Sequence, residues 1–271
     1  MESAIVRNLE PEFEPVVVVW SDTIPDDTVQ FKPGKFGCIL DLFAEAACSG
    51  KITGGSRESI ICPGGRAAIG FGIDFDQSEE SLDHYTAILS KGLQVVGNKI
   101  TYRAKMESVR RSWRSLYEYG ERRHCTAELA RDWLAHGLPR FNIAHKFVLF
   151  KSLSRTAADE NIQAIIFLVN PLELAGLITL AGSVLPGTDP VQVPPGADCN
   201  RIASFVYAQA EQPVPRAILG MLDVDGRKVM QRRFHKNTIS LALPMPLFLR
   251  MEQEADNCVF QIPAWRQLTV G

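Results

Sequence analysis

Ala164-Ile165-Ile166-Phe167-Leu168-Val169-Asn170-Pro171 is the stretch on which the fold turns. Its apolar run, rich in β-branched and aromatic residues, predicts a buried strand from Ala164 to Asn170. Proline in the first turn of the next segment predicts a helix from Pro171 to Leu180. Working outward, Lys146 to Leu153 reads as a strand, as do Val191 to Pro195, Arg216 to Leu222 and Thr238 to Leu243. Short helices fit after Cys199 and from Pro246 to Gln253.

The N-terminal half is richer in helix. Val16-Val17-Val18-Val19-Trp20 is a strand bounded by Pro15 and Ser21-Asp22. Cys38 to Ala47 places Ile39, Leu42, Phe43 and Ala46 on one helical face, and Gly50 and Gly54-Gly55 stop it. Ser59 to Cys62 is expected to be a short strand, with Gly65 to Phe71 a short helix or a second extended piece. Ser78-Glu79-Glu80-Ser81 opens a helix that runs to about Leu89. Helical patterns return from Tyr102 to Tyr119 and from Thr126 to His136, the latter with a capping threonine and an early acid, Glu128. These interleaved elements imply an α+β fold, with mixed sheets packed with short helices or two similar-sized α/β layers. Residues 1–271 are expected to form one main domain, with a soft boundary near 137–145.

The 271 residues carry a net charge of −2, which gives no global attraction to nucleic acid or to an acidic membrane. Nucleic acid is therefore not an expected partner. The apolar runs at Val16–Trp20 and Ala164–Val169 are too short to cross a bilayer, and Met1 to Arg7 lacks the apolar segment of a signal peptide. A cytoplasmic protein is expected, and in that compartment six cysteines read as thiols, metal ligands or reactive groups. A homo-oligomer stays open.

Cys62 lies in Ile61-Cys62-Pro63-Gly64-Gly65-Arg66, between a predicted strand and a predicted helix. Cys38 comes directly after Gly37, and Cys199 closes Pro194-Pro195-Gly196-Ala197-Asp198-Cys199. Each sits at an element end, where side chains from different parts of the chain converge. Cys48 shares a predicted helix with Cys38, about 15 Å away at 1.5 Å per residue, so the two cannot ligate one ion. Cys125 and Cys258 have ordinary settings.

Three thiolates, Cys38, Cys62 and Cys199, with one open position suit an iron–sulfur cluster or a soft metal. Against this, the chain has no Cys-x-x-Cys pair. The plainer alternative is three unconnected buried cysteines.

Gly64, Gly65 and Arg66 resemble a phosphate-binding turn, but no Gly-Lys-Ser/Thr comes after them. They can cradle a small anionic ligand or simply redirect the chain. Basic residues interleaved with aromatics run from Lys99 to Arg123; they suit single-stranded nucleic acid or an anionic cofactor, or form a solvated helix face whose aromatics pack inward. Asp74 and Asp76 share one side of a strand-like spacing, weakly suited to a hard cation. His84, His124, His136, His145 and His235 form no His-x-x-x-His pair.

The order of several local patterns resembles the uncharacterised archaeal conserved region family, the domain of unknown function numbered 169. The matching pieces are Cys38 opening a helix, Cys62-Pro63-Gly64-Gly65 with Gly70, and Phe167-Leu168-Val169-Asn170-Pro171. Further along are Pro195-Gly196-Ala197-Asp198-Cys199, Arg216-Ala217-Ile218-Leu219-Gly220 and Ser240-Leu241-Ala242-Leu243-Pro244 before Met251. They span about residue 15 to residue 255, while Lys99 to His145 carries none of them. The family has no settled biochemical role, so the resemblance adds only emphasis on the same three cysteines.

The leading expectation is a cluster or soft-metal site on Cys38, Cys62 and Cys199, with the Gly64-Gly65 backbone donating to it, for redox or sulfur chemistry. The alternatives are an enzyme whose nucleophile is Cys62, and a non-catalytic module binding a small anion through Gly64, Gly65 and Arg66.

Overall fold

In the computed structural model, residues 1–32, 34–73, 78–93 and 114–269 are described. They form two compact units, one of Met1–Phe71 with Phe141–Gly271 and one of Gly72–Arg140.

The first unit is built on one seven-stranded sheet. In chain order its elements begin with α1 (Ala4–Leu9), β1 (Val16–Ser21), α2 (Ile39–Ser49), β2 (Thr53–Ser56) and α3 (Pro63–Ile69). After the second unit's α4 (Glu79–Leu89), α5 (Arg114–Tyr119) and α6 (Ala127–Asp132) come β3 (Phe147–Ser152), β4 (Ile162–Val169) and α7 (Pro171–Val184). Next are β5 (Val191–Gln192), α8 (Asp198–Arg201), α9 (Ser204–Ala210), β6 (Ala217–Gly220) and α10 (Val224–Met230). The last are β7 (Ile239–Pro244), α11 (Met245–Glu254) and α12 (Pro263–Thr269).

The strand order is β2-β3-β1-β4-β7-β6-β5, antiparallel throughout except for the parallel pair β5–β6. The sheet with its helices is the expected α+β class.

Helices cover both faces of the central strands, which is why β1 and β4 are apolar without alternation. Val17, Val19, Ile165, Phe167, Val169, Leu241 and Leu243 pack in one core with Leu177 and Leu180 of α7 and Leu247, Phe248 and Met251 of α11. Val18, Phe150, Ala164 and Ile166 point to the opposite face. There α2 covers the sheet, with the rings of Phe43 and Phe150 edge to face at 6.0 Å. Thr53 on the same face donates its hydroxyl to Leu42 O at 2.8 Å.

Two local expectations are corrected. Ser59–Cys62 is not a strand: Ile60 N donates back to Ser56 O and Ser56 N to Ser59 Oγ, closing a turn. The strand is instead Thr53–Ser56, across the glycines expected to break structure. Gly54 has φ +155, and a Cβ there would stand 2.3 Å from Val148 O, so glycine permits this close pairing. In Val191–Pro195 only Val191–Gln192 pairs, since the prolines lack the N–H a ladder needs.

The second unit is helical, with α4 capped by Ser78 and α6 by Thr126, whose hydroxyl accepts from Leu129 N. A π-helical turn at Trp133–Gly137 continues α6. Arg131 bridges Glu79 and Asp83, tying α6 to α4. Asp74 and Asp76, and the basic stretch from Lys99 to Trp113, lie outside the described residues.

Candidate thiol site

On the sheet face covered by α2, three helix starts each carry a cysteine. Cys38 is the N-cap of α2, extended at φ −82 and ψ 132, and its side chain makes no capping hydrogen bond. Cys62 is the N-cap of α3 in the same way, with Pro63 opening the helix. Cys199 is the second residue of α8. A thiol is a weak acceptor, so these sulfurs are not consumed as caps.

The helix starts meet. Gly65 of α3 is buried against the first turn of α2, where a Cβ would lie 2.9 Å from Ile39 Cγ2 and 3.7 Å from Cys62 Sγ. Glycine therefore sets the approach of Cys62 to Cys38's helix. The short α8 packs on α3 and α2. Its Cys199 directs Sγ at Gly64 O, 3.9 Å away. Cys199 is buried, and Cys38 and Cys62 are half-buried. None of the six cysteines is paired in a disulfide.

Burial is the main cause that pushes the Cys38 thiol well above its ordinary range, followed by the neighbouring Cys62. The Leu40 N–H opposes this, while Asp41 and Asp223 add to it. Cys38 is thus a neutral thiol at neutral pH.

Around the sulfurs runs a polar scaffold that sequence reasoning did not find. Asp198, fully buried, accepts from Arg201 Nη1 at 2.9 Å, Leu222 N at 3.1 Å and Asp223 N at 3.4 Å. In return Asp198 N donates to Asp223 Oδ2 at 2.5 Å. Asp223 Oδ1 accepts from Asp225 N and Gly226 N, capping α10. Burial, then the Asp223 charge, pushes the Asp198 carboxyl up to about 6, against the pull of Arg201 and Leu222 N–H. The signal available was Asp223-Val224-Asp225-Gly226, an aspartate placed as a helix cap.

The remaining candidates are dispersed. Gly64 is open where a Cβ would stand, and Arg66 is half-buried on the last turn of α3. Cys48 is exposed near the end of α2, and partial burial, opposed by the Arg233 charge, pushes its thiol up. Cys258 donates to Ala255 O at 3.2 Å, and Cys125 is exposed. His145 faces Asp22 and Asn161, His136 faces Asp132, His84 is buried on α4, and His235 accepts from Asn237 N. Among the described residues no group of three His, Cys, Asp or Glu side chains stands ready to hold a metal ion. Nor is any described helix long and apolar enough to cross a membrane.

No curated protein and no solved structure matches the chain. The profile of the DUF169 family, described as uncharacterised ArCR, matches residues 4–254, so the protein belongs to this archaeal conserved region family.

Proposed function

We propose that the protein carries an iron–sulfur cluster on Cys38, Cys62 and Cys199 and uses it in redox or sulfur chemistry. The supporting observation is that three helix starts from distant parts of the chain bring these thiols into one neighbourhood. A single ion, with metal–thiolate bonds of about 2.3 Å, needs its ligands nearly in contact. A cluster spreads its ligand sulfurs over a wider cage and suits thiols that no single ion spans. Cys38, Cys62 and Cys199 would hold the cluster from three sides and leave its remaining coordination to a group from outside the chain.

The thiols must lose their protons to ligate, so loading releases protons and strengthens with pH. Anaerobic purification with iron and acid-labile sulfide analysis tests the proposal. Expected are stoichiometric iron and sulfide with visible charge-transfer absorption, lost in Cys38→Ser, Cys62→Ser and Cys199→Ser. Substoichiometric metal that ignores Cys62→Ala overturns it.

A second reading, Cys62 as a nucleophile, draws on its place at the start of α3 with Arg66 one turn on. It predicts a metal-free protein in which iodoacetamide modifies Cys62 far faster than the other five thiols. Uniformly slow labelling removes it.

A further inference from the structure

We infer that Asp223 is the positioning residue of the thiol site, fastening the turn that carries Cys199 to the helix that Cys38 begins. This rests on the reading that Cys38, Cys62 and Cys199 serve one site.

The fastening is reciprocal. The carboxylate of Asp223 takes the backbone N–H of Asp198, and the carboxylate of Asp198 takes the backbone N–H of Asp223. Charge-assisted bonds of this kind are about twice as strong as neutral ones. Each partner is held on its far side as well. Arg201, itself buried, grips Asp198 and also donates Nε to Pro194 O at 3.0 Å. The other oxygen of Asp223 caps α10. Gly226 has no side chain, and a Cβ there would meet Asp198 Oδ2 at 2.2 Å, so the clasp closes only over glycine.

From α10 the link continues to α2. The two helices pack together, and just past α10 Arg232 stands 3.8 Å from Asp41 and Arg233 bonds Glu45 at 2.5 Å. Cys38 is the N-cap of α2, so α10 bears on the helix that Cys38 opens. Asp223 thus touches Cys199's turn by hydrogen bond and reaches α2 through the helix it caps. Asp198 precedes Cys199 directly, so any slack in the clasp moves that sulfur.

A purely structural aspartate would do no more than cap α10, and Asp223→Asn separates the two roles. Asparagine keeps an oxygen for the α10 amides, but its NH₂ cannot accept from Asp198 N. The full-length protein, reduced and metal-free, is treated with iodoacetamide across a pH series, and each cysteine is followed by peptide mass spectrometry. Iron and sulfide are measured separately on the anaerobic holoprotein.

In Asp223→Asn, Cys199 is expected to react roughly tenfold faster, the scale of one lost charge-assisted bond in a local opening equilibrium. Exposed Cys125, which lies in the other unit, should stay unchanged. Asp223→Ser, another one-oxygen cap, serves if the asparagine variant does not fold. Wild-type reactivity at Cys199, or an equal rise at Cys258 that signals general loosening, overturns the inference. A wild-type protein without iron and sulfide that still shows the selective Cys199 response removes the cluster and leaves the positioning role intact.

Discussion

At Gly226 a single methyl group would lie 2.2 Å from the buried Asp198 carboxylate, which Arg201 and Leu222 N hold in place. Gly226→Ala is therefore expected to lose ~1–3 kcal/mol, the usual cost of overpacking, measured by urea unfolding. Asp198 itself makes stability depend on pH. Its carboxyl is pushed up to about 6 from 3.8, so between about pH 4 and 6 the native state keeps a proton that the unfolded chain has released. The stabilisation is complete below the unfolded value and is lost as pH rises through the folded one. Asp198's contribution to the unfolding free energy should fall with pH across that window, so Asp198→Asn should change the slope there in the upward direction. A slope that the variant leaves unchanged would contradict the assignment. Cys38, Cys62 and Cys199 were readable as element-end residues, because glycine and proline beside each mark a boundary. Asp198 and Asp223 were not, since nothing in a one-dimensional string pairs residues so far apart.

Helix α7 shows how far local rules reach. Asn170 accepts from Leu172 N and Glu173 N, and Glu173 returns a bond to Asn170 N at 2.8 Å. This reciprocal cap lies within four residues, and the sequence placed the helix start correctly. Asn170→Ala should cost ~1 kcal/mol, visible as a lowered unfolding midpoint without loss of the thiol site. Gly65→Ala should behave differently. Its added carbon meets Ile39 Cγ2 at 2.9 Å and pushes α3 off the start of α2, so the alkylation rates of Cys38 and Cys62 should change more than the unfolding midpoint does. Wild-type rates at both thiols would separate this helix contact from the site. At β2 the glycine signal misled, because residues that usually interrupt a strand here permit a tight edge pairing with β3.

Across the first unit, the sheet is a partition with different work on its two faces. The α7 and α11 side is a closed apolar core. Phe167 is fully buried there, and Phe167→Ala should cost ~3–5 kcal/mol by denaturant unfolding. The α2 side carries the helix starts that hold the thiols. Loss of Phe167 should thus lower stability without a selective change in cysteine reactivity below the unfolding transition.

The α+β class, the positions of the central strands and the capped helix starts are all written in the local amino-acid order. Those features depend on side chains and backbone within a few residues, where periodicity, proline and capping groups act directly. Only the folded chain reveals that Cys38, Cys62 and Cys199 share a neighbourhood and that Asp198 and Asp223 clasp beside them. Both results need α2, α3, α8 and α10 gathered on one sheet face, at separations that Gly65 and Gly226 permit by having no side chain. Such distances arise from long-range packing, which no local pattern encodes.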